Sequence, residues 1–274
     1  MAPTIHFLSD EQRDDDRLLY YRDIRDRQLS DDSGCFVAES ELIVRKLLAT
    51  DLVVESVLLT APRLATLNEI LAKHPGDFPV YIVPQAMMDH VAGFHVHRGC
   101  LAIAKRPIRE QIPDGARTIA VCEDLVDVDN LGCMARNAAA FGVDAMLLSP
   151  RCADPFYRKA VRTSAGAVLT LPIVRATAWP KDLVALRDQH GFALVAAALS
   201  DKATPLTNYR RPPRVAMLFG SEGPGLDQAT MNLCDDILTI PMATVPAVDS
   251  LNVATSAAVI FHWLSHMTSS AAET

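Results

Sequence analysis

No run of this 274-residue chain stays apolar for the roughly 18 residues that a membrane span requires, although half of its residues are hydrophobic. Positive charge is not in excess either. The net charge is −7; residues 1–112 carry 13 cations against 17 carboxylates, and residues 113–274 carry 13 against 16. Neither half is a basic nucleic-acid-binding block, so any polyanion must be held by a local patch. The six cysteines, at 35, 100, 122, 133, 152 and 234, include no C-x-x-C pair. The opening "MAPTIHFLSDEQRDDDR" turns acidic where an export signal needs an apolar core. The expectation is a cytoplasmic protein with reduced core thiols and no disulfide framework, zinc site or other metal.

What is present is an alternation of strand-like and helix-like segments. The charged stretch "KRPIREQIPDGART" (105–118), with two prolines and a glycine, reads as a linker, giving an N-terminal domain over 1–112 and a C-terminal domain over 113–274. In the first, "SELIVRKLLAT" has apolar residues at 42, 43, 47 and 48, the spacing of an amphipathic helix. The strand-like "VVESVLLT", a helix near "LATLNEILAKH", and the strands "VYIVP" and "GCLAIAK" follow, a small α/β module. The first 30 residues read as a charged helix or an extended arm. In the second, "TIAVCEDL", "VDAMLLSP", "TLPIVRA", "FALVAAAL", "RVAMLFG" and "DILTIP" are strand-like, with helices at "NLGCMARNAAAFG", "RKAVRTSAGAV", "PKDLVALRDQHG" and "LNVATSAAVIFHWLSHM". Such alternation implies an α/β fold with a mostly parallel sheet covered on both faces.

Three segments carry candidate chemistry. The turn "GSEGPGL" (220–226) follows a buried strand but is neither G-x-G-x-x-G nor a P-loop. A plain strand-to-helix turn accounts for its glycines. Its Glu222 adds something more, because a carboxylate opposes any phosphate there and favours a neutral or positive ligand; the sulfonium of S-adenosylmethionine meets that demand. In "DNLGCMARNAAAFG" (129–142), Asn130 is a competent N-cap and Gly142 a C-cap. Arg136, among small and apolar residues, is either a solvated arginine or an anion or hydroxyl contact. In "IPMATVPAVDSLNVATSAAVI" (240–260), Ser250 reads as the N-cap of the last helix with Asn252 in its first turn.

Taken in order, N-x-G-x-x-x-R, G-x-E-G-x-G and I-P-M…S-L-N-V resemble the three signature motifs of the SpoU (TrmH) family of RNA ribose 2′-O-methyltransferases, of the SPOUT class. The resemblance spans residues 117 to about 264. It implies a trefoil-knotted methyltransferase domain, S-adenosylmethionine as donor, and RNA as substrate, with ribosomal RNA favoured over transfer RNA. Residues 13–106 are more weakly similar to the family's small α/β substrate-binding domain. By the same resemblance Arg136, Asn130, Glu222, Ser250 and Asn252 form the catalytic set. Backbone groups of Leu218, Gly220, Ile240, Met242 and Leu251 hold the donor. One departure is visible: the family commonly has a glycine shortly after I-P-M and a shorter stretch before S-L-N, whereas residues 243–249, "ATVPAVD", contain Pro246 and no glycine.

For RNA contacts the candidates are Arg151, Arg158, Lys159 and Arg162, beside Phe156 and Tyr157 for base stacking, with Arg22, Arg25 and Arg27 as weaker ones. The last helix, apolar nearly all round with Phe261 and Trp263, implies a homodimer. Two other readings remain: a catalytically silent RNA-binding module with this fold, and a dinucleotide-dependent oxidoreductase, which lacks its glycine fingerprint here.

Overall fold

The computed structural model describes residues 3–96, 99–107, 111–243 and 250–267, apart from the side chains of Arg27 and Asp32. The Pro246 stretch of the 243–249 loop, residues 108–110 of the linker and the tail after Met267 lie outside the described residues. The chain forms two compact units, one from residues 1–108 with 156–170 and one from 109–155 with 171–274.

The first unit holds a five-stranded mixed sheet of β1 (Thr4–Phe7), β2 (Cys35–Glu39), β3 (Val54–Leu59), β4 (Pro79–Ile82) and β5 (Cys100–Lys105), in the order β1-β4-β3-β5-β2. The pairs β1–β4 and β3–β4 are parallel, whereas β5 runs antiparallel to both β3 and β2. Helices α1 (Asp26–Ser33), α2 (Glu41–Leu47), α3 (Ala61–Lys73) and α4 (Gln85–Ala92) connect the strands. Leu18, Tyr21, Val37, Leu58, Met88 and Ile103 lie in its core. The opening residues are thus an edge strand, β1, followed by 3-10 turns.

Residues 156–170, including α6 (Arg158–Thr163), belong to this first unit rather than to the C-terminal alternation in which the sequence places them. The physical cause is side-chain packing. Phe156 is 7% exposed and its ring lies 5.2 Å from that of Phe36. The guanidinium of Arg158 stacks 4.1 Å from the Phe94 ring centroid, and Lys46 Nζ donates to the Ala165 carbonyl at 2.7 Å.

The second unit is built on a seven-stranded, all-parallel sheet: β6 (Thr118–Cys122), β7 (Ala145–Leu148), β8 (Ile173–Arg175), β9 (Ala193–Ala197), β10 (Thr204–Pro205), β11 (Val215–Phe219) and β12 (Asp236–Thr239), ordered β10-β12-β9-β11-β6-β7-β8. The central strands β6 and β11 are buried at every residue, which is why they read as unbroken apolar runs. Successive side chains point to opposite faces. Ala216 and Leu218 join a core with Leu183, Leu186 and Phe192 beneath α7 (Lys181–Asp188). On the other face Phe219 meets Phe261 edge-on at 5.4 Å. That face is covered by α5 (Val128–Ala140) and α9 (Val253–His266), joined by a 2.8 Å hydrogen bond from Asn137 Nδ2 to the Ala254 carbonyl. A short α8 (Gln228–Met231) precedes β12.

Two local expectations need correction. The N-cap of α5 is Asp127, whose Oδ1 accepts from the Asn130 N–H at 2.9 Å, so Asn130 lies inside the first turn. The N-cap of α9 is Asn252, whose Oδ1 accepts from the Ala254 and Thr255 N–H groups at 2.9 and 3.2 Å; Ser250 lies outside the helix. Along α9, Thr255, Val259, His262 and His266 form an exposed face. Gly142, past the end of α5, adopts φ +69°, the left-handed conformation expected of a helix stop.

Candidate active site

Ligands of open parallel sheets bind beyond the carboxyl ends of the strands. At that end of β11 the chain enters the glycine-rich turn and folds back on itself, with Gly225 N–H donating to the Ser221 carbonyl at 3.1 Å. A Cβ on Gly220 would lie 2.1 Å from the Gly225 carbonyl carbon and 2.3 Å from the Leu226 nitrogen. Glycine is the residue that closes this turn. Its folding back leaves Glu222 exposed at the tip.

Glu222 then organises the site. Its carboxylate accepts from Asn130 Nδ2, and Asn130 Oδ1 accepts from Asn252 Nδ2 at 2.9 Å. Asn252 Oδ1 is left to cap α9. An ionised carboxylate is acceptor-only, so it dictates which end of each amide faces which neighbour. One negative charge thereby orients two amides and a helix start. From sequence Ser250 reads as the cap, with both Ser250 and Asn252 in the site. In the structure Asn252 is both cap and site residue.

The turn, the residues after β12 and the start of α9 line one cavity of about 590 Å³. Gly220, Ile240, Met242 and Leu251 lie in its lining, as do Glu222, Ser250 and Asn252. Leu218 does not, being fully buried within β11. Residues not singled out from sequence also contribute: Ala197 to Leu199 at the end of β9, Gln228 and Met231 of α8, and Ser256 and Ile260 of α9. The ends of "FALVAAAL" and "DILTIP" were legible as strands, and a parallel sheet brings such ends together, so this part of the wall was in principle foreseeable. Among the described lining residues Glu222 is a carboxylate and there is no Lys, Arg or His.

Arg136 is exposed on α5, six residues beyond Asn130, and makes no hydrogen bond or ion pair with another described residue. It does not line the cavity. The candidate RNA residues fall into two groups. In the second unit Arg151 is exposed and held by Asp124, Nε to Oδ2 at 3.1 Å. Asp124 sits at φ +55°, and Ser149 Oγ donates to its Oδ1 at 2.9 Å. The Arg151 hydrogen bonds, aided by Ser149 and opposed by partial burial, hold the Asp124 carboxyl below the usual carboxylate range. In the first unit Lys159 and Arg162 are exposed, but Arg158 is half-buried against Phe94, with its Nε 3.7 Å from Glu39. Phe156 is buried, so it cannot stack on a base. Of the weaker candidates, Arg22 Nη2 is tied to the Asp15 carbonyl at 2.9 Å, and the side chain of Arg27 is outside the described residues. Among the described residues no group of acidic, histidine and cysteine side chains has the arrangement of a metal site, and no helix is long and apolar enough to cross a membrane.

Comparison with known proteins agrees with this geometry. A sequence model of the SpoU rRNA Methylase family matches residues 117–262. An uncharacterized tRNA/rRNA methyltransferase of Mycobacterium bovis is 40% identical over 259 residues, covering 91% of this chain and 88% of the relative. Among solved structures, an AdoMet-bound rRNA methyltransferase from Sinorhizobium meliloti superposes with a TM-score of 0.80 at 20% identity, covering 95% of this chain and 97% of the other. A structure described as an RNA 2′-O ribose methyltransferase gives 0.76 at 23% identity, covering 94% and 98%. At these identities the structures speak for the fold; the family match and the mycobacterial relative speak for kinship. On those two findings, the chain belongs to the SpoU rRNA methylase family.

Proposed function

We propose that this protein transfers a methyl group from S-adenosylmethionine to a ribose 2′-hydroxyl of RNA, ribosomal RNA in preference to transfer RNA. The observation that carries the reading is the electrostatics of the 590 Å³ cavity: a carboxylate at its rim, apolar residues such as Phe219, Leu238 and Ile260 in its wall, and no cation in its described lining. A phosphate-bearing cofactor is disfavoured there, and a sulfonium is favoured. Family membership and the AdoMet-bound structural neighbour support the same donor, and the 2′-O ribose methyltransferase supports the same target atom.

In this reading backbone groups of Gly220, Ile240, Met242 and Leu251, which line the cavity, hold the donor, with Leu218 in the buried strand behind them. When bound, the donor would supply an electrophilic methyl carbon for the 2′-oxygen, with a neutral thioether as the leaving group. The Glu222–Asn130–Asn252 chain fixes the polar wall against which the nucleotide is oriented. Such alignment supplies up to roughly 7–11 kcal/mol in the best cases. Arg136 binds the target phosphate or hydroxyl and stabilises the negative charge that develops on oxygen. A guanidinium is a poor proton acceptor, so the 2′-OH proton leaves to an RNA phosphate oxygen or to water. Lys159, Arg162 and Arg151 hold RNA phosphates, and the first unit presents the RNA.

Two features of the family resemblance extend the proposal. By that resemblance the motif turns at 220–226 and 241–251 lie side by side with the last helix threaded through a loop, and two copies assemble as a homodimer through α5 and α9. Mechanical stretching of a knotted chain yields an unfolded contour shorter than that of 274 free residues; a full-length contour overturns the knot.

The deciding experiment incubates the protein with methyl-labelled S-adenosylmethionine and ribosomal or transfer RNA, then hydrolyses the RNA in alkali. Alkaline cleavage needs a free 2′-hydroxyl, so the expected label resides in alkali-resistant dinucleotides. Label in mononucleotides would point to base methylation, and donor binding without transfer would point to a silent RNA-binding module.

A further inference from the structure

Glu123 immediately follows β6 and is 3% exposed, a buried carboxylate that the mechanism above does not use. Withdrawn from water, such a group persists only where donors meet its oxygens. Three do so. Trp179 Nε1 and Thr230 Oγ1 both donate to Oε1 at 2.6 Å, and the Asp227 N–H donates to Oε2 at 2.9 Å. Two of these donors lie directly behind the cavity wall. Asp227 follows Leu226, the last residue of the glycine-rich turn, and Thr230 stands between Gln228 and Met231; Leu226, Gln228 and Met231 all line the cavity. The third donor, Trp179, packs against the core on the α7 side of the sheet and does not line the cavity.

We propose that Glu123 is a positioning residue for donor binding: it fastens the turn 220–226 and α8 to the end of β6, and so sets the shape of the donor cavity. The inference rests on the donor-binding reading given above. Packing alone would be served by an apolar side chain of similar size, but that would leave three donors without an acceptor. Glutamine keeps the volume and loses the match. Its amide nitrogen must face one of the two N–H groups, since only the Thr230 hydroxyl is able to turn and accept. Either Asp227 or Trp179 is then displaced.

The test uses the full chain and compares Glu123→Gln, Thr230→Val and Trp179→Phe with the wild type. Three quantities are measured: donor affinity by titration calorimetry with S-adenosylmethionine, the donor KM and kcat, and amide hydrogen exchange without ligand. Glu123→Gln should weaken donor binding about tenfold, as expected when a hydrogen bond to a charged group is lost. Donor KM should rise accordingly, with kcat at saturating donor within about twofold of wild type. Exchange should speed up across residues 221–231 and not in β6 or α9. Thr230→Val should move the same quantities in the same direction by less. Trp179→Phe should lower the melting temperature and cost less donor affinity than Glu123→Gln, because it leaves the Thr230 and Asp227 bonds to Glu123 in place. Wild-type affinity in Glu123→Gln overturns the proposal, as does a Trp179→Phe variant that loses as much affinity. If Glu123→Gln fails to fold, unchanged affinity in Thr230→Val overturns it as well. Failure of the wild type to bind the donor removes the functional reading instead, and the exchange measurement still decides whether Glu123 fixes the turn.

Discussion

Replacing Arg136 with alanine should separate folding from chemistry more cleanly than any other change at the site. The side chain is exposed, bonded to no other described residue and absent from the cavity lining. Alanine is at least as good a helix former in the middle of α5. Exposed substitutions of this kind change stability by about ±0.5 kcal/mol, and a chain of this size shifts its melting temperature by roughly 2–4 °C per kcal/mol. The melting temperature should therefore move by less than about 2 °C. Donor affinity should be unchanged. Methyl transfer should fall by roughly 10²–10³, or about 2.7–4 kcal/mol, the cost of removing one preorganised contact to developing charge. Arg136→Lys should recover little, since an ammonium lacks the planar fork that binds two oxygens at once. Single-turnover transfer of labelled methyl to RNA, run beside calorimetry and thermal melting, measures all three quantities. Near-normal turnover in a folded, donor-binding Arg136→Ala protein would refute the assignment and return Arg136 to the solvated surface.

Gly220→Ala should abolish donor binding in calorimetry, because its Cβ meets backbone at 2.1 Å and the turn must open; retained affinity would show that the turn does not shape the cavity. Lys159→Ala with Arg162→Ala should weaken RNA binding and reduce the salt slope by about 0.7–0.9 per lost phosphate contact, whereas Arg158→Ala should chiefly lower thermal stability; an unchanged slope in the double variant would remove the patch. Burial pushes the Cys100 and Cys234 thiols up to about 12 and the Cys122 thiol well above its ordinary value, so iodoacetamide at pH 8 should label the half-exposed Cys133 first; equal labelling of Cys122 would contradict the packing. Light scattering at micromolar concentration should give twice the 29.8 kDa chain mass, and a monomer would dismiss the α5–α9 interface.

The sheet of the second unit was legible because its strands are buried on both faces, and strands such as "TIAVC" and "VAMLF" carry that fact in every residue. The first strand was not, since Thr4–Phe7 is a four-residue edge with largely exposed side chains and no apolar run to mark it. Among the site residues, Asn130, Glu222 and Asn252 were legible as a set, but the division of labour among them was not. Asp127, Asp129 and Asn130 are all competent caps within four positions, as are Ser250 and Asn252 within three. The direction in which the chain leaves β6 and β12 chooses between them, and sequence does not show that direction. Arg158 read as a surface cation because Phe94 and Glu39, its partners, are distant in sequence. Glu123 was hidden for the same reason, its donors lying 56, 104 and 107 positions away.

The hydrogen bonds that tie Asn130 to Glu222 and to Asn252 span 92 and 122 positions of sequence. No fragment that stops short of residue 252 holds the three together. A chain interrupted during translation lacks the amide that turns Asn130 and the cap that starts its last helix, even if its central strands have already paired. The polar wall of the site is therefore completed only once residue 252 has joined the chain, however early the central strands pair.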